Sequence, residues 1–336
     1  MCLRFPLFIL MLGFVSHALA WNEAGHALVT RLAFQALPSD FPNWVKTSEN
    51  ETRLAYLSAE PDRWRGQGSL ALSHVNSPDH YLDVEEVADF GLTLATLPRF
   101  RGEFIEKLTA FRLQHPDDKT TAYDSTNDRD HTRSLPGTLP WAIEENRAKI
   151  AASWSILKTY EQYADVVTPD EIAAEKAAII HYMGILSHFA GDSVQPLHTT
   201  RYHNGWVGAN PVGYTESRKF HGYIDGEVLV IHNLTFATLS RSARRPEAFN
   251  PTDPWSQILA DLAHTLSKME PLYKLEKAGV LEKAPGKAFI EDCLLEGGAR
   301  LSGLWVSSWQ AGKIDAYLVR ALEERRAKAA NPTTTK

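Results

Sequence analysis

The sequence predicts an all-α fold that forms a single compact domain of many helices. Apolar residues recur at helical spacing in several long segments, and clear alternating strand patterns are absent. The chain has 336 residues, of which 44% are hydrophobic, so it is long enough to bury one large core. A helix-start signal, Thr168-Pro169-Asp170-Glu171, precedes the central apolar run.

The first twenty residues predict a cleavable export signal. Arg4 is the charged start, residues 5–15 are apolar, and Ala18-Leu19-Ala20 fits a small-residue cleavage site. The apolar run is too short to span a bilayer, and no later stretch is long enough. We therefore expect residues 1–20 to be removed, leaving Trp21 as the first mature residue of a secreted or periplasmic protein without stable membrane insertion.

Charge and cysteine content narrow the function classes. The formal net charge of −6 argues against a broadly basic nucleic-acid-binding surface, so any phosphate affinity must come from a local site. Cys2 lies in the export signal, which leaves Cys293 alone and excludes an intramolecular disulfide. We interpret Cys293 as a small buried hydrophobe. Nothing in the sequence implies a protein partner.

Spacing and punctuation residues place the elements in chain order within one domain, residues 21–330. Between the helices we expect an irregular stretch at 72–81, a polar loop at 115–137 and a loop rich in glycine and aromatics at 202–214. Residues 331–336 read as a loose tail. The predicted helices cover roughly 21–37, 44–58, 100–114, 141–163, a central helix from 168 that Pro196 stops, a helix opening at 220–225, then 254–273, 287–309 and 314–328.

The central helix carries the most informative residues. His188 and Asp192 lie four residues apart, so both side chains leave one helix face and can bind one metal ion. His198 follows from the turn beyond Pro196. A single His/Asp pair of this kind is more often a core histidine with a capping carboxylate. Here, however, other candidate metal ligands accompany the pair.

Further histidines and carboxylates have the spacing of metal ligands. His221 and Asp225 repeat the four-residue interval, and His80 follows Asp62 along the chain. His26 lies one turn from the predicted new amino terminus. Zinc takes three or four nitrogen and oxygen ligands per ion, so this set suits more than one zinc ion. The sequence has no glycine-rich phosphate loop, no Cys-x-x-Cys pair and no serine-nucleophile elbow.

Residues 188–198, His-Phe-Ala-Gly-Asp-Ser-Val-Gln-Pro-Leu-His, resemble the His-x-x-x-Asp-x-x-x-Pro-Leu-His signature of the single-strand-specific zinc nucleases. Those enzymes share an all-α fold with bacterial zinc-dependent phospholipase C, so the resemblance implies a domain of that type. The similarity covers most of the mature chain. It extends, in the same order, to Trp21, His26, Asp62, the run His80-Tyr81-Leu82-Asp83 and the pair His221/Asp225.

The resemblance implies three zinc ions per chain. The first would be bound by Asp62, His80, His188 and Asp192. Asp192 would bridge to the second, which is held by His26 and by the amine and carbonyl of Trp21. The third would be bound by His198, His221 and Asp225. Catalysis is expected to involve Asp62 and Asp192, with Arg65 near the phosphate and Asp83 orienting a ligand or the attacking water, although Asp83 also reads as a plain surface carboxylate.

The implied function is a zinc-dependent endonuclease that hydrolyses single-stranded DNA and RNA to 5′-phosphate products with a metal-activated water. Trp206, Tyr202 and Tyr214 are candidates to stack on a base, or are structural aromatics. The alternatives are a phospholipase C acting on phospholipid head groups and a secreted zinc-binding protein without turnover. The ending His-x-x-x-Asp at Asp225 favours the nuclease, because the phospholipases resemble His-x-x-x-Glu there.

Some features depart from the family pattern or compete with the assigned ligands. The interval from His80 to His188 is longer than in the fungal nucleases, and Asn204-Gly205-Trp206 replaces their Gly-Gly-Asn element. His74 competes with His80 as a ligand. His181 is expected in the core or behind the ligands. His203 is expected as an exposed loop residue, with contact to substrate as the alternative.

Overall fold

The computed structural model describes residues 21–65, 67–121, 126 and 128–330. The predicted export signal and the tail at 331–336 lie outside the described residues. Across the described ranges the chain is mostly helical, and β-structure is limited to one isolated antiparallel bridge between Leu82 and Gly137. The predicted all-α, single-domain fold is confirmed.

The α-helices of the described residues are α1 (Glu23–Ala36), α2 (Ser48–Leu57), α3 (Glu60–Arg65), α4 (Leu70–Asn76), α5 (Val84–Asp89), α6 (Arg101–Gln114), α7 (Leu139–Gln162), α8 (Pro169–Asp192), α9 (Phe220–Gly222), α10 (Val228–Ile231), α11 (Phe236–Leu239), α12 (Trp255–Ser267), α13 (Met269–Lys277), α14 (Ala284–Ala311) and α15 (Ala316–Ala330). Short 3₁₀ turns at Ser77–His80, Leu94–Thr96, Pro196–Thr199 and Ser240–Ser242 and a π-helical turn at Tyr223–Glu227 complete the described helical structure.

Helix α8 is the centre of the domain. It packs against α1, α2, α7 and α14, and every residue from Met183 to its end at Asp192 is buried. Gly184 permits the approach of α2, because a Cβ at this position would lie 2.4 Å from Leu57 Cβ. The buried end of α8 therefore sets its ligand-bearing residues inside the core, where other segments can surround them.

The start of α8 is as predicted, but its end is not. Thr168 Oγ1 accepts from Glu171 N at 3.2 Å while Glu171 Oε2 accepts from Thr168 N at 2.8 Å, which is the expected capping box. The helix ends at Asp192, four residues before Pro196. Pro196 instead begins the 3₁₀ turn that carries His198, because proline is well tolerated in a first helical turn.

Three other expectations needed correction. The helix expected at 44–58 begins only at Ser48, where Thr47 caps it, and residues 60–65 form the separate helix α3. The stretch expected to be irregular at 72–81 is α4 followed by a 3₁₀ turn, since Ser69 Oγ accepts from Leu72 N and starts a helix. The helix expected at 254–273 is α12 and α13, separated at Lys268.

Cys293 is buried and unpaired, as expected. Within the described ranges, we find no helix whose length and apolar character would suffice to cross a bilayer.

Candidate metal centre

Separate segments deliver histidines and aspartates to one buried region at the end of α8. His188 and Asp192 come from α8 itself, His26 from α1 and Asp62 from α3. The remaining members come from short turns: His80, His198, His221 and Asp225. Their ligand atoms form three groups, each with its atoms within 4.8 Å of one another. The first is Asp62/His80/His188, the second is His26/His188/Asp192 and the third is His198/His221/Asp225.

The first group surrounds a common point near Asp192. His80 Nδ1 lies 2.8 Å from His188 Nε2, and each of these nitrogens lies 3.3 Å from Asp192 Oδ2. Asp62 Oδ1 lies 3.8 Å from the His80 nitrogen and 3.9 Å from that of His188. The four residues expected at the first zinc ion are therefore brought together.

The second group uses the other oxygen of Asp192. Asp192 Oδ1 lies 3.5 Å from His26 Nε2 and 3.6 Å from His198 Nδ1. The His26 ring stacks on His188 with a 4.0 Å centroid separation. Gly191 makes room for His26, since a Cβ there would lie 2.7 Å from His26 Nδ1. The two oxygens of one carboxylate thus face two different groups of histidines.

Trp21 lies next to this region, with its side chain buried in the core. The following backbone amide, Asn22 N, donates to Asp225 O at 3.1 Å, which connects the backbone next to Trp21 to the third group. Ligation by the Trp21 amine and carbonyl stays a prediction.

The third group joins the turn after α8 to the segment α9–π turn. His221 Nε2 lies 3.0 Å from His198 Nε2 and 3.1 Å from Asp225 Oδ2. Gln195 Nε2 donates to Asp225 Oδ1 at 2.7 Å, so the carboxylate keeps Oδ2 for the centre. The expected four-residue pairing of His221 with Asp225 is present, although it straddles α9 and a π-helical turn.

Backbone carbonyls determine which histidine nitrogens face the centre with a lone pair. His188 Nδ1 donates to Ser58 O at 2.8 Å, and His198 Nδ1 donates to His80 O at 2.5 Å. A carbonyl only accepts, so in both rings Nδ1 carries the hydrogen and Nε2 is free to bind a cation. Asn76 Nδ2 donates to Pro61 O at 2.8 Å, next to Asp62 in the chain, and lies 3.2 Å from Nε2 of His80. Asn76 thus contacts the first group at its Asp62 segment and at its His80 ring.

Burial dominates the electrostatics of the centre. Desolvation lowers the pKa of His188 and of His198 to about 3 and that of His221 to about 4, so these imidazoles are neutral at pH 7. Desolvation raises the pKa of Asp225 to about 8, and desolvation together with the charge of Asp62 raises that of Asp192 well above its usual range. Neutral imidazoles are ready to bind a metal, and the buried carboxylates lack a compensating cation.

Several of these polar atoms have no hydrogen-bond partner among the described residues. They are both ring nitrogens of His26, both oxygens of Asp192, Asp62 Oδ1, His221 Nδ1 and Asp225 Oδ2. Burying unpaired polar atoms costs free energy, and divalent cations would satisfy several of them at once. Imidazole and carboxylate donors suit zinc, so the residues present fit the expected metal.

A cleft of about 220 Å³ opens beside the three groups. Arg65 lies at its edge, with its side chain one-third exposed and Nη1 3.5 Å from Asp62 Oδ1. Asp83 is 5% exposed, so its interpretation as a surface carboxylate is wrong. Desolvation, and then the charges of nearby glutamates, raise the pKa of Asp83 well above its usual range. The walls are formed by Arg65, His80, Tyr81, Asp83, Leu197, His198, His203, Asn204 and His221.

His203, expected as an exposed loop residue, is half-buried and lines the cleft, and Asn204 beside it is a polar cleft residue to which the sequence assigned no role. The ring of His203 lies 5.9 Å from that of His221 by centroids, and its Nδ1 lies 3.9 Å from Asp83 Oδ1. Asn204 Oδ1 is buried without a hydrogen-bond partner among the described residues. Their position just after His198 was the available signal, because a turn that delivers a ligand also carries its neighbours to the site.

The aromatic loop behaves differently from the expectation. Tyr202 and Trp206 stack on each other, with centroids 4.1 Å apart and planes at 11°, and neither lines the cleft. Tyr214 is 4% exposed and packs against Trp206 and Tyr273. Stacking of a base on Tyr214 is therefore a wrong prediction, since its ring is enclosed by other aromatics. Base stacking on Trp206 or Tyr202 stays a prediction.

The competing histidines lie outside the centre. His74 Nδ1 lies 2.8 Å from Asp130 O, and His74 belongs to none of the three groups. His181 is exposed, so its expected place in the core or behind the ligands is wrong. Both line a separate cavity of about 730 Å³. His80, rather than His74, belongs to the first group.

Comparisons of the chain with protein-family models, with curated proteins and with solved structures find no match.

Proposed function

We propose that the protein is an exported zinc-dependent phosphodiesterase that hydrolyses single-stranded DNA and RNA to 5′-phosphate products. The observation that carries the proposal is Asp192, whose two oxygens face different histidine groups at 3.3–3.6 Å. A carboxylate so placed is suited to bridge two cations. His198 of the third group lies 3.6 Å from Asp192 through Nδ1, so a third cation held by His198, His221 and Asp225 could act on the same phosphate.

The metal supplies the main chemistry: bound zinc acts as a Lewis acid on phosphoryl oxygens and lowers the pKa of water. The protein side chains hold that chemistry in place. Asp62 and Asp192 contribute charge at the first group, while neutral His188 and His198 present Nε2 as donors to the metal. No protein nucleophile is required.

Two cleft residues have roles toward the substrate. The Arg65 guanidinium, anchored by Asp62 and partly exposed, is placed to donate hydrogen bonds to phosphate oxygens. Asp83 Oδ1 has no hydrogen-bond partner among the described residues and borders the cleft, so it can accept a hydrogen bond from the attacking water and orient it. These roles support direct attack of water on phosphorus.

The test compares substrates on one zinc-loaded preparation. We expect cleavage of a single-stranded oligonucleotide with 5′-phosphate ends, and no release of phosphocholine from phosphatidylcholine. Asp83→Asn serves as a matched variant, because it retains size and should reduce turnover while zinc content is unchanged. Phosphocholine release without DNA cleavage would identify a phospholipase C, and zinc binding without either activity would identify a binding protein.

A further inference from the structure

The end of helix α8 is fixed from outside the metal centre. Ser193 follows Asp192 directly, and its carbonyl accepts two hydrogen bonds, from Arg300 Nη1 at 2.9 Å and from Thr265 Oγ1 at 2.7 Å. Arg300 Nη1 also lies 3.2 Å from Ser193 Oγ. Exposure of these residues is 1% for Ser193, 1% for Thr265 and 3% for Arg300. Side chains of α12 and α14 therefore hydrogen-bond to Ser193, the residue next to Asp192.

Arg300 is itself rigidly held. Its Nη2 donates to Glu296 Oε1 at 2.7 Å, and its Nε lies 3.5 Å from Asp261 Oδ2 and 3.9 Å from Glu247 Oε2. Both terminal nitrogens are hydrogen-bonded, which directs the guanidinium toward Ser193, whereas Nε has ion-pair contacts but no hydrogen-bond partner among the described residues. The last carbonyls of a helix lack partners within that helix and attract a cation, so this end of α8 is a favourable place for Arg300.

Ser193 begins the turn that connects Asp192 to His198 and so joins two ligand groups. Asp192 precedes it, and His198 follows five residues later. Within the turn, Gln195 N donates to Asp192 O at 3.1 Å and Gln195 Nε2 donates to Asp225 Oδ1 at 2.7 Å. A small rotation at Ser193 would consequently displace Asp192, His198 and the partner of Asp225 together.

We infer that Arg300 and Thr265 are positioning residues for the metal centre, acting through the Ser193 carbonyl. The inference rests on the proposed metal-dependent function. Neither side chain lines the cleft or belongs to a ligand group, so their effect reaches the cations only through the direction in which α8 ends. Fold stability alone would be the competing role for a buried arginine.

The test uses Arg300→Met, Arg300→Lys and Thr265→Val in the full mature chain, loaded with zinc or with cobalt(II). We expect Arg300→Met to lower kcat about 10-fold or more, within the range for residues that orient metal ligands, and to change KM little. We also expect weaker metal retention on dialysis and an altered cobalt(II) visible spectrum. Thr265→Val, which keeps shape but loses the hydroxyl, should change the spectrum in the same direction, and Arg300→Lys should restore part of the kcat.

Arg147→Met is the matched control. Arg147 is also buried and ion-paired, but its partner is Glu144 on its own helix, with Nε 2.7 Å from Glu144 Oε2. We expect this control to lose thermal stability while it keeps kcat and the cobalt(II) spectrum of the parent. If Arg300→Met does not fold, Thr265→Val carries the test through the same readouts.

Two outcomes separate this inference from the proposed function. Parent-like spectrum, metal retention and kcat in Thr265→Val and in any folded Arg300 variant would overturn the positioning role and leave the metal-dependent function standing. A parent protein that binds neither zinc nor cobalt(II) would overturn both. Metal binding without nuclease activity in the parent, with spectra still altered in the variants, would overturn only the nuclease.

Discussion

The protein buries charge in two regions that are compensated in opposite ways. Around Arg300, every carboxylate has a cation within 4 Å: Arg300 contacts Glu296, Asp261 and Glu247, and Lys268 contacts Glu296 and Asp292. In the metal centre, the ion-pair contacts of Asp192 and Asp225 are with histidines, and burial has lowered the pKa of His188, His198 and His221 below 6.5. The first region pairs its carboxylates with cations of the protein itself, although burial still raises the pKa of Glu247 to about 7 and that of Asp261. The ion-pair contacts of Asp192 and Asp225 include no arginine or lysine, so we call the metal centre the uncompensated region.

The largest effect should come from removing metal, which affects only the uncompensated region. Metal analysis of the mature protein should find close to three zinc ions per chain. Chelation should abolish activity and lower the melting temperature, because the ions hold together ligands from separate segments. A stoichiometry of one zinc ion or none would contradict the view that the metal centre requires charge from bound cations.

Asp192→Asn should be the most damaging single substitution at a ligand, because this carboxylate faces two groups. We expect a loss of kcat/KM beyond about 100-fold, more than is usual for residues behind the ligands, and at least as large as for His221→Ala. His74→Ala should remain near wild type. An inactive His74→Ala beside an active His80→Ala would reverse the assignment of the first group.

The amino terminus should matter next. A free α-amine has an ordinary pKa near 7.7–8.0, and a neighbouring dication would keep it neutral and able to ligate. A protein with one extra residue before Trp21 should therefore fold but bind fewer zinc ions and lose activity. Zinc content and turnover of the extended and authentic forms give the answer, and three zinc ions with full activity in the extended form would exclude the terminus as a ligand.

A pH effect is expected from Asp225 in the chelated protein, and comparison with the zinc-loaded protein separates it from that of Glu247, whose pKa is raised to about 7 in the other region. The pKa of Asp225 is about 8 in the fold and 3.8 as the ordinary value, so the folded state holds a proton that the unfolded state has released. Stability should therefore fall as pH rises from 6.5 to 8, by about 1–2 kcal/mol for this group. The histidines, whose pKa is lowered, act only below 6.5. In urea unfolding, the free energy of unfolding should fall less between pH 6.5 and 8 when zinc is present. An equal dependence on pH with and without zinc would contradict this account.

The smallest effect is expected at the aromatic loop. If Trp206 binds a base, Trp206→Ala should weaken single-strand binding by about 1 kcal/mol, the low end for stacking, because Tyr202 already covers one face. Zinc content should not change. Tyr214→Phe, which keeps the enclosed ring, is the control, and unchanged binding with lower thermal stability in Trp206→Ala would make Trp206 structural.

Local spacing predicted the fold class and the pairs His188/Asp192 and His221/Asp225, whereas the membership of the three ligand groups was implied by the resemblance. His188 and Asp192 share a helix face wherever that helix lies, and the resemblance connected them to His80 and His26. The cleft walls were harder to predict. Asp83 is buried between segments that are distant in the chain, His203 comes to the cleft beside it, and Tyr214 is enclosed by Tyr273 from α13. The only local signal at Arg300 was its four-residue spacing to Glu296, since Thr265 and Ser193 lie 35 and 107 residues away.

His80 takes part in two groups through different atoms. Its ring belongs to the first group, while its backbone carbonyl accepts the Nδ1 hydrogen that sets the His198 ring in the third. Any ion that fixes the His80 ring also restrains the carbonyl that orients His198. Zinc uptake by the two groups should accordingly be cooperative, and by thermodynamic reciprocity each ion should raise the affinity for the other by the same factor.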